Sequence, residues 1–218
     1  MSRVFVKICG ITRPEDALVA AEAGADAVGF VFYSASPRFV ERERAAAISR
    51  VLPPMVLRVG LFVDASRDEI ARTADAVGLD ILQLHGHEPP EAFEGLPRRA
   101  LKALRVGSDF APEDALRYER ACGILLDTRL ADETAPLGGT GTPFDWTLVR
   151  GLRDKVGFLM LAGGLEPGNV KEAVAAVRPH GVDVSSGVEG RRPGQKDASR
   201  VRAFVDAVRS VEPGGAAR

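Results

Sequence analysis

Short apolar runs alternate with amphipathic stretches along the whole chain. The runs are rich in Val, Leu, Ile and Phe and cover Val4–Ile8, Ala27–Phe32, Leu57–Val63, Ile81–Leu84, Leu101–Val106, Gly123–Leu126, Phe158–Ala162 and Val182–Ser185. Each has strand length, while the segments between them repeat apolar residues at helical spacing. Thr12-Arg13-Pro14-Glu15 reads as a capping box with Pro in the first turn. Ala17, Leu18 and Ala21 then share one helix face, and Gly24 suits the C-terminal stop. Further helical stretches begin near Glu41, Arg67, Pro90, Pro112, Phe144, Pro167 and Lys196. Strand–helix units in succession imply parallel strands joined by helical crossovers. An open doubly wound sheet and a closed barrel both satisfy that rule. The count of eight units favours a single-domain α/β fold, the (β/α)8 or TIM barrel, over residues 1–211. Residues 212–218, containing Pro-Gly-Gly-Ala-Ala, read as a disordered tail.

Strand parity then sorts the polar residues. Successive side chains of a barrel strand face the interior and the helices in turn. Lys7 and Cys9 share one face of the first strand, and Val4, Val6 and Ile8 the other. Gln83 and His85 oppose Leu82 and Leu84, and Asp183 and Ser185 oppose Val182 and Val184. The helix side must be apolar, so the polar sets point inward. Cys9, His85, Asp127 and Ser185 also close the C-terminal ends of their strands, the end at which barrel active sites are built. Parity further suggests that Lys7 pairs with Asp183 across the barrel.

Composition narrows the function classes. The 218 residues carry 29 Lys+Arg against 30 Asp+Glu, a formal net charge of -1, with no block of one sign. A nucleic-acid or membrane partner would need a basic face. No apolar run approaches the ~20 residues of a membrane span, and a cytoplasmic location is expected. The 2 cysteines, Cys9 and Cys122, are too few for a disulfide scaffold, and no metal site is expected from the 3 histidines, His85-x-His87 being a poor ligand pair.

Local chemistry remains. Gly163-Gly164 follows the seventh strand and Ser185-Ser186-Gly187 the eighth. Backbone N–H groups in these two loops bind phosphate in many barrels, next to a short extra helix that the segment from Val188-Glu189 could supply. Cys9 and Asp127 form the best acid–base pair, since a thiolate accepts a proton and a protonated carboxyl donates one. Arg38, in Ser36-Pro37-Arg38 after the second strand, can grip a carboxylate with two prongs. Leu137–Pro143 is a Gly-rich loop able to fold over a bound substrate, and it lacks the Lys-Ser/Thr of a nucleotide loop. Cys122 precedes its strand and fits a packing role.

These motifs, taken in order, resemble the phosphoribosylanthranilate isomerase family. The likeness runs through Lys7-Ile8-Cys9-Gly10-Ile11-Thr12, Gly29-Phe30-Val31-Phe32, Ser36-Pro37-Arg38, Gln83-Leu84-His85-Gly86, Leu126-Asp127-Thr128, Ala162-Gly163-Gly164-Leu165 and Asp183-Val184-Ser185-Ser186-Gly187-Val188-Glu189, with Pro193-Gly194 and Lys196-Asp197 beyond. The resemblance implies a (β/α)8 barrel catalysing an Amadori rearrangement in tryptophan biosynthesis, as a monomer or homodimer without cofactor. It implies Cys9 as general base and Asp127 as general acid. Arg38 would hold the anthranilate carboxylate, Gly163, Gly164, Ser185, Ser186 and Gly187 the phosphate, and His85 and Asp183 would line the sugar site. The related histidine-pathway isomerase places an aspartate where Cys9 stands. The lysine and glutamate motifs of indole-glycerol-phosphate synthase are not seen. A non-catalytic phosphosugar-binding barrel would not need both Cys9 and Asp127.

Overall fold

A computed structural model describes residues 3–107, 109–128 and 145–211. Eight parallel strands close into one barrel in chain order, with β8 hydrogen-bonded to β1. They are β1 (Phe5–Cys9), β2 (Ala27–Val31), β3 (Leu57–Phe62), β4 (Ile81–Leu84), β5 (Arg99–Val106), β6 (Gly123–Thr128), β7 (Leu159–Leu161) and β8 (Gly181–Val184). Every apolar run of the sequence is therefore a strand, with ends shifted by a residue or two. The α-helices are α1 (Pro14–Glu22), α2 (Arg42–Val51), α3 (Arg67–Val77), α4 (Pro112–Leu116), α5 (Val170–Val177) and α6 (Ala198–Arg209). The expected tail 212–218, the loop Leu137–Pro143 and the helix start at Phe144 lie outside the described residues.

Two layers of apolar side chains build the body. Outward-facing strand residues such as Val6, Ile8, Phe30, Leu82, Leu126 and Val182 pack under the helices and are completely buried. A smaller cluster of Ala103, Leu125, Met160 and Ala162, with Phe5 and Phe158, fills the barrel interior. Above that apolar plug the interior turns polar, with Lys7, Gln83 and Asp183 all buried. Residues at the C-terminal rim therefore stand on a packed floor rather than over a pore.

Three helical expectations change. Thr12 does not cap α1. The N-cap is Arg13, no side chain caps the helix, and Pro14 begins it. The Thr12 hydroxyl instead donates to Gly194 O at 2.6 Å, tying the loop after β1 to the loop after β8. The cap geometry expected there occurs at α3, where Ser66 accepts from Glu69 N at 3.2 Å.

The crossover near Pro90 is only a 3₁₀ turn, Pro90–Phe93, because Pro89-Pro90 and Gly95-Leu96-Pro97 leave too little chain for a helix. Lys102 and Glu88 cover this flank. The buried Lys102 ammonium donates to Glu88 Oε2 and to Gly86 O, both at 2.7 Å, and stands 5.6 Å from the Tyr118 ring centroid. Glu88 also accepts from Asp64 N and Gly86 N, each at 2.9 Å, and so fixes the loops that follow β3 and β4. Between β6 and β7 the described residues form two 3₁₀ turns, Trp146–Val149 and Leu152–Lys155.

Candidate active site

A half-open cavity lies at the C-terminal rim of the barrel, the end at which barrel active sites are built. Cys9 and Asp127 line it from β1 and β6. Arg38 enters from the loop after β2, and His85 follows β4. Gly163, Gly164, Ser185 and Ser186 form one wall, with Asp183 below them. Gly187 does not line the cavity. The opposite side is apolar, made by Val31, Leu61 and Val63.

Cys9 stands above a charged pair. The register sets Lys7 beside Asp183, and their charged atoms meet at 2.9 Å. The pairing is lateral, between neighbouring strands, rather than across the barrel, because β1 and β8 are adjacent once the sheet closes. A fully buried ammonium is tolerable only with such a partner. Burial pushes the Lys7 amine down, but Asp183 and Cys9 together hold it above its ordinary value. Burial likewise pushes the Cys9 thiol up, and the opposing pull of Lys7 and Lys196 only partly offsets this. The two groups thus shift the same way, each above its ordinary value.

Asp127 is held from two sides. Its Oδ1 accepts from Thr128 N at 2.8 Å, and its Oδ2 lies 3.3 Å from His85 Nε2. Gln83 Nε2 lies 2.9 Å from His85 Nδ1, so the amide donates and the ring hydrogen sits on Nε2, facing Asp127. His85, expected at the sugar, lines the cavity and also stands directly against Asp127. His87 is 84% exposed at its side chain and turns to Asp64 at 3.4 Å, so the His85-x-His87 pair does not converge. Among the described residues no group of three His, Cys, Asp or Glu is arranged to hold a metal ion.

The wall after β7 and β8 is built for close approach. Gly163 and Gly164 take φ of 79° and 66°, a left-handed pair that L side chains rarely adopt. A Cβ on Gly163 would strike Thr128 N and sit 2.7 Å from Asp127 Oδ1, so glycine lets this loop lie against the end of β6. Ser185 Oγ donates to Cys9 O at 3.1 Å, which ties β8 to β1. The short extra helix expected from Val188-Glu189 is a 3₁₀ turn, Ser186–Val188, that ends before Glu189.

Glu189 and Lys196 escaped the sequence reading of the site. Glu189 is buried and takes the Nε and Nη2 edge of Arg38, both contacts at 2.8 Å. Lys196, also buried, donates to Glu189 Oε1 at 3.0 Å and to Ser185 O at 3.1 Å. Burial works against the Glu189 carboxylate, yet Arg38 and Lys196 hold it below the ordinary carboxylate value. The motif Glu189…Lys196 was visible; that its charges point inward was not, since both flank an irregular loop without periodicity.

Among the described residues no helix is long and apolar enough to cross a membrane. Comparison with known proteins agrees with the geometry. The family described as N-(5'phosphoribosyl)anthranilate (PRA) isomerase matches residues 6–207. The N-(5'-phosphoribosyl)anthranilate isomerase of Pseudomonas aeruginosa (strain LESB58) is 58% identical over 212 residues, covering 96% of this chain and 97% of that protein. The crystal structure of phosphoribosyl anthranilate isomerase from Thermotoga maritima superposes with a TM-score of 0.87 at 46% identity, over 94% of this chain and 98% of that one. A phosphoribosyl anthranilate isomerase in complex with reduced 1-(o-carboxyphenylamino)-1-deoxyribulose 5-phosphate superposes with a TM-score of 0.84 at 44% identity, again over 94% and 98%. With its closed eight-stranded barrel, its rim cavity and a match that runs nearly end to end, the chain belongs to the N-(5'-phosphoribosyl)anthranilate isomerase family.

Proposed function

We propose that the reaction of this family runs, in this chain, between Cys9 and Asp127. The reaction is the Amadori rearrangement of N-(5'-phosphoribosyl)anthranilate to 1-(2-carboxyphenylamino)-1-deoxyribulose 5-phosphate, a step of tryptophan biosynthesis. The observation that carries the assignment is the placement of the two groups. A thiol from β1 and a carboxyl from β6 open on one cavity, with β7 and β8 between them on the ring. A sugar seated there has one group on either side.

Asp127, protonated, gives its proton to the ring oxygen of the ribose. The bond from that oxygen to C1' breaks, and the anilino nitrogen lone pair closes a protonated Schiff base. Cys9, as thiolate, takes the hydrogen from C2'. The electrons of that bond form the C1'–C2' double bond and neutralise the nitrogen, giving an enol amine that tautomerises to the ketone. After the first step Asp127 is a carboxylate, and the N–H groups of His85 and Thr128 stabilise it. Only protons move, passing between the substrate and these two groups, and the tautomerisation returns both groups to their starting forms; substrate and product are isomers, so the step draws on no redox cofactor.

The remaining residues bind. The backbone of Gly163, Gly164, Ser185 and Ser186 faces the same cavity and suits the phosphate, with Gly187 supporting the turn from behind. Arg38 lies at the edge next to the apolar side and suits the carboxylate of the aromatic ring. Asp183 lines the floor of the cavity, within reach of a sugar, and also acts on Lys7 and Cys9.

The test is direct. Purified protein is mixed with freshly made phosphoribosylanthranilate and the loss of its fluorescence is followed. Turnover above the spontaneous background is expected for the wild type, and a rate at background for both Cys9→Ala and Asp127→Asn. Full activity in either variant overturns its assigned role.

A further inference from the structure

Arg38 lines the cavity, yet a carboxylate of the protein already occupies one edge of its guanidinium. A guanidinium offers two paired edges, Nε with Nη2 and Nη1 with Nη2. Glu189 fills the first edge with two contacts of 2.8 Å, and among the described residues Nη1 has no hydrogen-bond partner. The stem is held as well. Gly10, at φ 74°, lies so close that a Cβ there would come within 2.7 Å of Arg38 Cδ. The arginine is thus presented in one orientation, with its end edge free.

Glu189 is held in turn. Its Oε1 accepts from Gly194 N at 2.9 Å and from Lys196 Nζ at 3.0 Å, in addition to Arg38 Nε. Lys196 is anchored on Ser185 O, and its own backbone N–H donates to buried Asp16 at 3.1 Å. Two cations share one carboxylate, and all three side chains are buried. Burial pulls the Lys196 amine below its ordinary value and Glu189 opposes that; in its charged form it leaves the cluster one positive charge in excess beside the cavity. An arginine paired one-to-one with a glutamate would be electrically silent toward an incoming anion. The second cation removes that silence.

We propose that Glu189 is a positioning residue for substrate selection: with Lys196 supplying the uncompensated charge, it fixes Arg38 so that the Nη1–Nη2 edge meets the carboxylate of the substrate's aromatic ring. This rests on the reading of Arg38 given above. Glu189 touches no substrate itself and acts through the orientation and charge of Arg38. Loss of its charge frees the guanidinium to turn and leaves the two cations in mutual repulsion. That weakens a ligand whose carboxylate must be received end-on more than one held by its phosphate alone.

The experiment compares two competitive inhibitors. One is reduced 1-(o-carboxyphenylamino)-1-deoxyribulose 5-phosphate, and the other is the same molecule without the ring carboxyl group. Inhibition constants are measured for the wild type, Arg38→Ala, Glu189→Gln and Glu189→Asp, with circular dichroism as the check on folding. Glu189→Gln is expected to weaken the carboxylated inhibitor by about 10-fold or more and the other by less than about 3-fold. Glu189→Asp keeps the charge with a shorter reach and should show a smaller loss of the same selectivity, and it decides the matter if the glutamine variant does not fold. Equal weakening of both inhibitors, or no weakening of either, overturns the proposal. If Arg38→Ala is selective and the Glu189 variants are not, this inference alone falls. If Arg38→Ala is itself unselective, the reading of Arg38 falls.

Discussion

His85 Nε2 lies 3.3 Å from Asp127 Oδ2, so a histidine of the fourth unit and a carboxyl of the sixth act as one group. Gln83, 2.9 Å from Nδ1, keeps the ring hydrogen on the side of Asp127. Closing that 3.3 Å contact to a hydrogen bond on a developing carboxylate would be worth about 1.5–3 kcal/mol. His85→Ala should therefore lower kcat by roughly 10- to 100-fold with a smaller change in KM. An unchanged kcat would remove His85 from the acid's support.

Cys9→Ala and Asp127→Asn each delete one proton-transfer group. Each should cut kcat by at least ~100-fold, the lower end of what a positioned acid or base contributes. Thermal melts of the two variants should stay close to that of the wild type. A large fall in melting temperature together with the lost rate would instead mark a folding defect.

The rate should depend on pH through Cys9. Its thiol is raised above an ordinary value of 9.0 by burial, and the reactive form is the deprotonated one. Below that value each added unit of pH gives more thiolate, so kcat/KM should climb on the alkaline side of neutrality, and Cys9→Ala should lose the climb. A profile for the wild type that is flat from neutral pH upward contradicts a thiolate base.

Asp183→Asn leaves the Lys7 ammonium buried without its counter-charge. Breaking a buried pair in this way costs about 3–5 kcal/mol, which urea unfolding would read directly. The same change removes a carboxylate that pushes the Cys9 thiol up. Alkylation of Cys9 by iodoacetamide near neutral pH should accordingly speed up in any folded fraction. Slower alkylation would show that Asp183 does not act on the thiol.

Glu189 makes a separate contribution to acid stability. Its carboxyl is held below an ordinary value of 4.5, chiefly because Arg38 and Lys196 outweigh the cost of burial. A carboxylate depressed in the folded state adds stability above its unfolded value and loses it as pH falls through the folded one. The stability gap between the wild type and Glu189→Gln should be widest near neutrality and narrow below about pH 4.5. A gap constant from pH 7 to pH 3 would mean that the ion pairs add nothing.

Periodicity made the barrel legible, and parity made its charged interior legible. Lys7 and Asp183 fell on inward faces of β1 and β8 from alternation alone, because a strand of known direction leaves two choices for each side chain. Parity gave the face and not the neighbour, so the pair was expected across the ring when closure sets it side by side. The His85–Asp127 contact needed the spacing of strands around the ring, a tertiary quantity. Glu189 and Lys196 lay in a loop with neither period, where an acidic and a basic residue read as solvated. Thr12 had the right sequence for a cap and lost that role to a carbonyl 182 residues away, which no local rule could supply.

The short crossover between β4 and β5 leaves one flank of the barrel without a helix to cover it. Phe93 is the one buried residue of its 3₁₀ turn, so little apolar area holds that flank. The Lys102–Glu88 pair holds it instead, and the same glutamate grips the backbone on either side of His85's loop. That flank is closed by one buried ion pair rather than by a helix that must peel away. Hydrogen exchange should accordingly be earliest in this segment, next to the loop that carries His85, and uniform protection across the crossovers would show that the ion pair closes the flank as firmly as a helix.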